Sequence, residues 1–177
     1  MNFFEKTISS ERIYDGKIIN LRKDLVELEN GNNASREIVE HSGGVGILAV
    51  DSDGQILMVR QYRCGVGRMS LEIPAGKLNL GENPEECGRR ELEEETGFIP
   101  GYFEAMGFID PSPAYLSEKI YIYLAGDLIP AKQSLDPDEF LSVEKLSIDR
   151  AVEMCMTGEI TDAKTLVAVL KYKNMKP

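Results

Sequence analysis

Residues 76–98 read GKLNLGENPEECGRRELEEETGF, and their local signals specify one short, capped helix. Asn83 is a favoured N-cap and Pro84 falls at the first helical position. Glu85 and Glu86 stand in the first turn, where the helix dipole favours acids, and Glu86 is placed for a capping-box-like arrangement with Asn83. Gly97 supplies the left-handed residue that closes the helix. A helix turns about 100° per residue, so Glu95 lies roughly 40° and Glu94 roughly 60° from Glu91, on opposite sides, with Arg90 beside them. Three carboxylates that close repel one another unless a cation sits among them. Oxygen-only ligands suit a hard ion such as Mg2+ or Mn2+, and Mg2+ usually works on substrate phosphates.

The alternative is a solvated acidic helix. That account covers Glu86 and Glu93, which point away from the patch. It does not explain why the face carrying Cys87, Gly88 and Leu92 is so weakly apolar yet adjoins the carboxylates. Gly88 in mid-helix costs about 1 kcal/mol against alanine, which predicts close backbone packing there.

A chain of 177 residues with 42% hydrophobic and 28% charged residues has the balance of a globular protein with one well-packed domain and a small extension. The net charge of −10 argues against a nucleic-acid or acidic-membrane partner, which needs a positive footprint. A small phosphorylated substrate stays open, because bound divalent ions reverse the local field. Cys64, Cys87 and Cys155 are odd in number and lack metal-site spacing, as expected of unpaired thiols in a reducing cytoplasm. The opening residues are too acidic for a signal peptide, and no apolar run is long enough to span a membrane. His41 is the sole histidine, so histidine-based catalysis is not expected.

Residues 17–29 and 36–41 read as strands joined by a hairpin turn at Asn30-Gly31. Gly43 and Gly44 mark the join between an N-terminal β unit, residues 1–43, and a main domain, residues 44–177. In the main domain, 45–50 and 55–62 read as strands around a turn. Residues 71–73 enter a tight Pro74-Ala75-Gly76 loop. Further strands are expected at 102–110, 119–125 and 140–146, then helices at 148–156 and 162–173, the last capped by Thr161. Strands, a helix, more strands and terminal helices describe an α/β or α+β domain. The N-terminal unit is too small to hold its own core, so it is expected to pack on a partner in a homodimer.

Gly76, Glu82, Arg90, Glu91, Leu92, Glu94, Glu95, Gly97 and Phe98 fill, in order, the fixed positions of the Nudix hydrolase signature, G-x5-E-x7-R-E-U-x-E-E-x-G-U with U bulky and apolar. Phe98 is a mild departure from the usual aliphatic residue. The resemblance spans roughly Gly44 to the C-terminus and implies an α/β/α sandwich around a mixed sheet. It also implies that Glu91 and Glu95 are metal ligands with Glu94 a further one, that Arg90 orients the glutamates and that Glu82 braces the loop–helix junction. The N-terminal unit resembles the one found in ADP-ribose pyrophosphatases, where it commonly helps form a domain-swapped dimer.

Other residues extend the site. Arg60, Arg63 and Arg68 cluster in RQYRCGVGR, and arginine forks match phosphate oxygens; ion pairing at a solvated strand end is the alternative. Tyr62 is placed to stack on a base or to fill core. LEIPAGK resembles the segment leading into the signature of ADP-ribose pyrophosphatases, which implies the Ala75 carbonyl as a metal ligand and Glu72 as a substrate-binding or organising residue. Pro113, sixteen residues after Gly97, and its PSPAYLSEK loop resemble that branch too, with Ala114 in place of the commoner glycine. The acidic loop at 135–140 matches one that such enzymes bring over the site, implying Glu139 first and Asp138 second as the base.

The resulting expectation is a Mg2+-dependent hydrolase, with Mn2+ as substitute, converting ADP-ribose to AMP and ribose 5-phosphate in the cytoplasm. The same chemistry on a nucleotide sugar or an oxidised nucleotide is one alternative. A non-catalytic nucleotide sensor is another, opposed by the intact carboxylate set.

Overall fold

The computed structural model describes residues 3–175. The chain forms two compact units. One comprises everything described up to Gly43 together with Asp110–Lys119, and the other comprises Gly44–Ile109 with the remainder from Ile120.

The first unit is a three-stranded antiparallel sheet of β1 (Lys6–Asp15), β2 (Ile19–Glu27) and β3 (Asn33–His41) in sequence order. The β2–β3 hairpin turns through Gly31, whose φ of 79° suits glycine. Residues 110–119 join this unit through β3. Val39 donates its N–H to the Tyr115 carbonyl at 2.7 Å and accepts from the Ser117 N–H at 2.9 Å. Strand β1 has no counterpart in the sequence expectations. Every one of its residues is exposed, so it carries no buried–exposed alternation to betray it.

The second unit is a layered α/β domain. A four-stranded mixed sheet has the order β7 (Ala75–Lys77), β4 (Gly44–Ala49), β9 (Ile120–Pro130), β8 (Phe98–Ile109), with β4 and β9 parallel. A three-stranded antiparallel sheet has β5 (Gln55–Arg63) between β10 (Leu141–Ser147) and β6 (Arg68–Glu72). Period-two alternation distributes the side chains between two cores. Val45, Ile47, Ala49 and Leu57 pack with Cys87 and Leu92 of α1 (Pro84–Thr96). Leu48, Ile56 and Met58 pack with α2 (Ile148–Thr157) and α3 (Ala163–Met175) through Ala151, Met154, Ala168, Val169 and Tyr172. The result is the expected sandwich of helices on both faces. Leu92, fully buried, contributes roughly 1.5–3 kcal/mol relative to an exposed leucine.

Helix α1 has the anticipated ends. Asn83 accepts from the Glu85 N–H at 2.8 Å, and Gly97 closes the helix at φ 73°, ψ 29°. Gly88 meets the sheet closely, because a Cβ there would fall 2.9 Å from the Phe103 ring. Several boundaries differ from expectation. The loop at Ala75–Gly76 is a short strand, paired antiparallel with Gly44–Gly46. Strands β8 and β9 run longer, since each supplies the other's ladder from Phe98↔Pro130 to Ile109↔Ile120. Asp162, not Thr161, caps α3: its Oδ2 accepts from the Thr165 N–H at 3.0 Å and its carbonyl from the Leu166 N–H at 2.9 Å. No helix among the described residues is long and apolar enough to cross a membrane.

Candidate active site

Arg90 organises the acidic face of α1. Its Nη1 donates to Glu91 Oε1 and to Glu94 Oε2, both at 2.8 Å, while Nε and Nη2 reach Glu82 at 3.0–3.2 Å. Partial burial opposes the Arg90 charge, but the surrounding carboxylates outweigh it and raise its pKa. Glu82 is held from its own loop as well, accepting from the Asn79 N–H at 2.8 Å. Burial works against its charge, yet the Asn79 and Arg90 donors keep its carboxyl below the usual range. One guanidinium thus ties the loop before α1 to two glutamates on it.

Glu91 and Glu95 lie deeper, at 9% and 2% exposure. Strand β7 makes the room for them. A Cβ on Gly76 would fall 1.8 Å from the Glu91 carboxyl carbon, so only glycine leaves space for that side chain as it stands. Next door, the Ala75 N–H donates to Glu95 Oε2 at 2.9 Å. Burial pushes Glu95 up to about 8; the Ala75 N–H opposes this, and the charges of Glu91 and Glu139 add to it. Glu91 is raised mainly by burial, with Glu94 and Glu139 contributing and Arg90 opposing. Glu139, from the loop before β10, is therefore within electrostatic reach of both buried glutamates, and its Oε2 accepts from the Asp136 N–H at 3.3 Å.

A second ionic group adjoins them. Arg63 clasps Glu72 with a two-pronged fork, Nε to Oε1 at 2.9 Å and Nη2 to Oε2 at 2.7 Å. Lys164 Nζ donates to the same Glu72 Oε2 at 2.6 Å and to Asp162 Oδ1 at 3.0 Å. The connection from β6 to β7 is fixed at successive residues. The Ile73 N–H donates to Thr165 Oγ1 at 2.9 Å, and the Pro74 carbonyl accepts from the Ile47 N–H at 2.8 Å.

Not every sequence candidate converges here. Arg60 does not. Its position on β5 puts it on the face shared with Met58, opposite to Arg63, and it pairs with Glu144 through Nε and, at 3.1 Å, through Nη2. An odd separation along a strand reverses the face. Arg68 donates to Thr161 Oγ1 at 2.7 Å and is exposed. Tyr62 is not core, at 60% exposure. Asp138 is exposed beside Glu139, and Pro113 is exposed in the segment belonging to the first unit. His41 ends β3, where its Nδ1 accepts from the Gly43 N–H at 3.0 Å. The three cysteines are free, Cys64 exposed and the others buried. Lys164 escaped the sequence reading because its partner Glu72 lies far away in the chain, and Asp162, which holds Lys164 from two residues away, escaped with it.

Among the described residues, no three His, Cys, Asp or Glu side chains converge as a ready cation cage. The donor set nevertheless fits a hard divalent ion. Glu91 and Glu95 are buried carboxylates whose ionisation burial disfavours, and β7 is shaped around the first and hydrogen-bonded to the second. A cation would supply the charge they lack.

The NUDIX domain family matches residues 40–168, and the nucleoside diphosphate sugar hydrolase N-terminal domain matches residues 5–39. The chain is 42% identical to an ADP-ribose pyrophosphatase of Bacillus subtilis (strain 168), over 97% of this chain and 94% of that protein. It is 41% identical to a methanol dehydrogenase activator of Bacillus methanolicus, over 94% and 91% respectively. The crystal structure of an ADP compounds hydrolase shares the fold at a TM-score of 0.85 with 21% identity, covering 97% of this chain and 93% of that one. The chain belongs to the Nudix family. It is an enzyme of that family, a Nudix pyrophosphohydrolase.

Proposed function

We propose that the protein hydrolyses the pyrophosphate bond of ADP-ribose, giving AMP and ribose 5-phosphate, with Mg2+ as cofactor and Mn2+ as a substitute. The observation that carries this reading is the pair of buried carboxylates, Glu91 and Glu95, gathered against Ala75 and Gly76. Glu91, Glu95 and the Ala75 carbonyl would hold the metal, with Glu94 as a further ligand. When bound, the ion polarises phosphoryl oxygens, lowers the pKa of water and neutralises charge on the leaving phosphate.

The chain's own residues do the rest. Arg90 keeps Glu91 and Glu94 oriented, and Glu82 holds Arg90 against the loop. Arg63, with 41% of its side chain exposed, takes a substrate phosphate, and Glu72 fixes where that guanidinium waits. Glu139 accepts a proton from the attacking water on a carboxylate oxygen, with Asp138 the second candidate. Pro113 stiffens the loop it stands in. Arg60, paired with Glu144 on the opposite face of β5, is left out of this scheme.

ADP-ribose is favoured by the LEIPAGK segment and by relatives named ADP-ribose pyrophosphatase, including one of Mycobacterium tuberculosis (strain ATCC 25618 / H37Rv) at 35% identity. A nucleotide sugar is the second reading, supported by the N-terminal family match and by relatives named GDP-mannose pyrophosphatase at 31% identity. A homodimer working in the cytoplasm completes the proposal. The test is a panel of ADP-ribose, nucleotide sugars, diadenosine compounds and nucleoside triphosphates, assayed with Mg2+ and with a chelator. ADP-ribose should give the highest kcat/KM and the chelator should abolish turnover. Preference for a triphosphate would overturn the reading.

A further inference from the structure

Strand register puts Gln61, not Arg60, beside Arg63. Residues two apart on a strand share a face, and Gln61 and Arg63 stand on the same side of β5 as Leu57, which packs with Leu92 of α1. The ladder partners agree. Val59, next along that face, is opposite Glu72, while Gln61 is opposite Ser70 on one side and Leu141 on the other. Glu139 lies two residues before Leu141, in the loop that enters β10. Gln61 therefore stands between the Arg63–Glu72 pair and the strand that begins just after Glu139.

The amide nitrogen of Gln61 is buried and has no hydrogen-bond acceptor among the described residues. Such a donor is uncommon, because burial costs it the hydrogen bonds it would make in water and returns nothing. The carboxylates around it are held by other donors. Glu72 accepts from Arg63 and Lys164, Glu95 from the Ala75 N–H and Glu139 from the Asp136 N–H. Arg63 spends only its Nε and Nη2 edge on Glu72, so its other edge stays available to an incoming anion. It also stands within electrostatic reach of Glu95, on the side where the metal would lie. An anion rich in acceptor oxygens that reaches Arg63 there meets the Gln61 amide as the next donor along the strand.

We infer that Gln61 is a substrate-binding residue: its amide donates to an oxygen of the substrate's diphosphate, beside Arg63. This rests on the proposed phosphate role of Arg63. The two side chains divide the task. Arg63 supplies charge, whereas the neutral amide supplies a directed hydrogen bond that fixes how the diphosphate is turned.

The test uses the full chain and two non-hydrolysable diphosphates, α,β-methylene ADP and the nucleoside-free methylenediphosphonate, titrated calorimetrically in Mg2+. Gln61→Met, similar in length but without a donor, should weaken binding of both by about tenfold. It should raise the KM for ADP-ribose with kcat close to wild type. Its Tm should equal or exceed that of wild type, because the substitution removes an unsatisfied buried donor. If Gln61→Met does not fold, Gln61→Glu, which keeps the length and polarity, carries the test and should lose more affinity, since a carboxylate repels the diphosphate. Unchanged affinity and KM in the variant that folds would overturn the inference. So would a loss confined to α,β-methylene ADP, which would put the contact on the nucleoside. A loss confined to kcat and absent in a Glu139→Gln background would show that the amide serves Glu139 instead, and would overturn it too. Diphosphate binding that depends on Gln61 in a protein inactive on ADP-ribose would remove the substrate assignment and leave the inference standing.

Discussion

Gly76 and Glu91 are matched by exclusion: a methyl group at Gly76 would fall 1.8–2.2 Å from the carboxyl atoms of Glu91. The obstructing atoms are the free end of a flexible side chain, so an added methyl can be accommodated by swinging Glu91 aside. The fold tolerates this and the site does not. Gly76→Ala should therefore keep a Tm near wild type while losing activity on the order of 10²-fold, the scale on which removal of an electrostatic stabiliser acts. Turnover of ADP-ribose at saturating Mg2+, alongside thermal unfolding, measures both. Wild-type turnover would mean that the Glu91 position carries no chemistry.

Glu139 and Asp138 are neighbours with different surroundings. The charge of Glu139 reaches Glu91 and Glu95, whereas Asp138 is exposed. Glu139→Gln should lower kcat by about 10²-fold, within the range for loss of general acid–base catalysis, and leave Mg2+ affinity close to normal. Asp138→Asn should change kcat little. Equal kcat in wild type and both variants would move the base elsewhere.

The Glu72 carboxyl gives a stability effect with a defined sign. Burial opposes its charge, but Arg63 and Lys164 outweigh burial and hold its pKa at about 2, against an ordinary 4.5. A depressed carboxyl pKa means that the unfolded chain binds the proton more readily. Its contribution is fully present above pH 4.5 and is lost as the pH falls through about 2. Glu72→Gln should lower the urea midpoint at pH 7, and the difference from wild type should shrink between pH 4.5 and 2. A gap that stays constant over that window would show that the ion pairs are not its source.

The N-terminal sheet exposes Ile8, Ile13 and Tyr14 by about half each, and a small sheet with so much apolar surface uncovered is a poor free-standing structure. A homodimer is expected at micromolar concentration by sedimentation, and deleting residues 1–43 should leave a less stable, less active protein. A wild-type chain sedimenting as a monomer would overturn this expectation.

Sequence alone determined what is local. The start and end of α1 follow from Asn83, Pro84 and Gly97, which act on backbone groups within a turn of themselves, so they were legible without any knowledge of the fold. The spacing of Glu91, Glu94 and Glu95 was equally legible, because helical geometry alone sets their relative directions. Strand β1 was not, since its residues are exposed throughout and only its pairing with β2 makes it a strand. The three residues of β7 look like a loop until Gly44–Gly46 pairs with them. Tertiary structure likewise separated the three arginines. Arg60 turned to Glu144, Arg68 to Thr161 and Arg63 to Glu72, choices fixed by strand register and by partners contributed from elsewhere in the fold. Only the packing of α3 against the sheet brought Lys164 to Glu72 across 92 residues of chain. A side chain's local neighbours are written next to it in the sequence, whereas its charge partners are decided by where the whole chain folds.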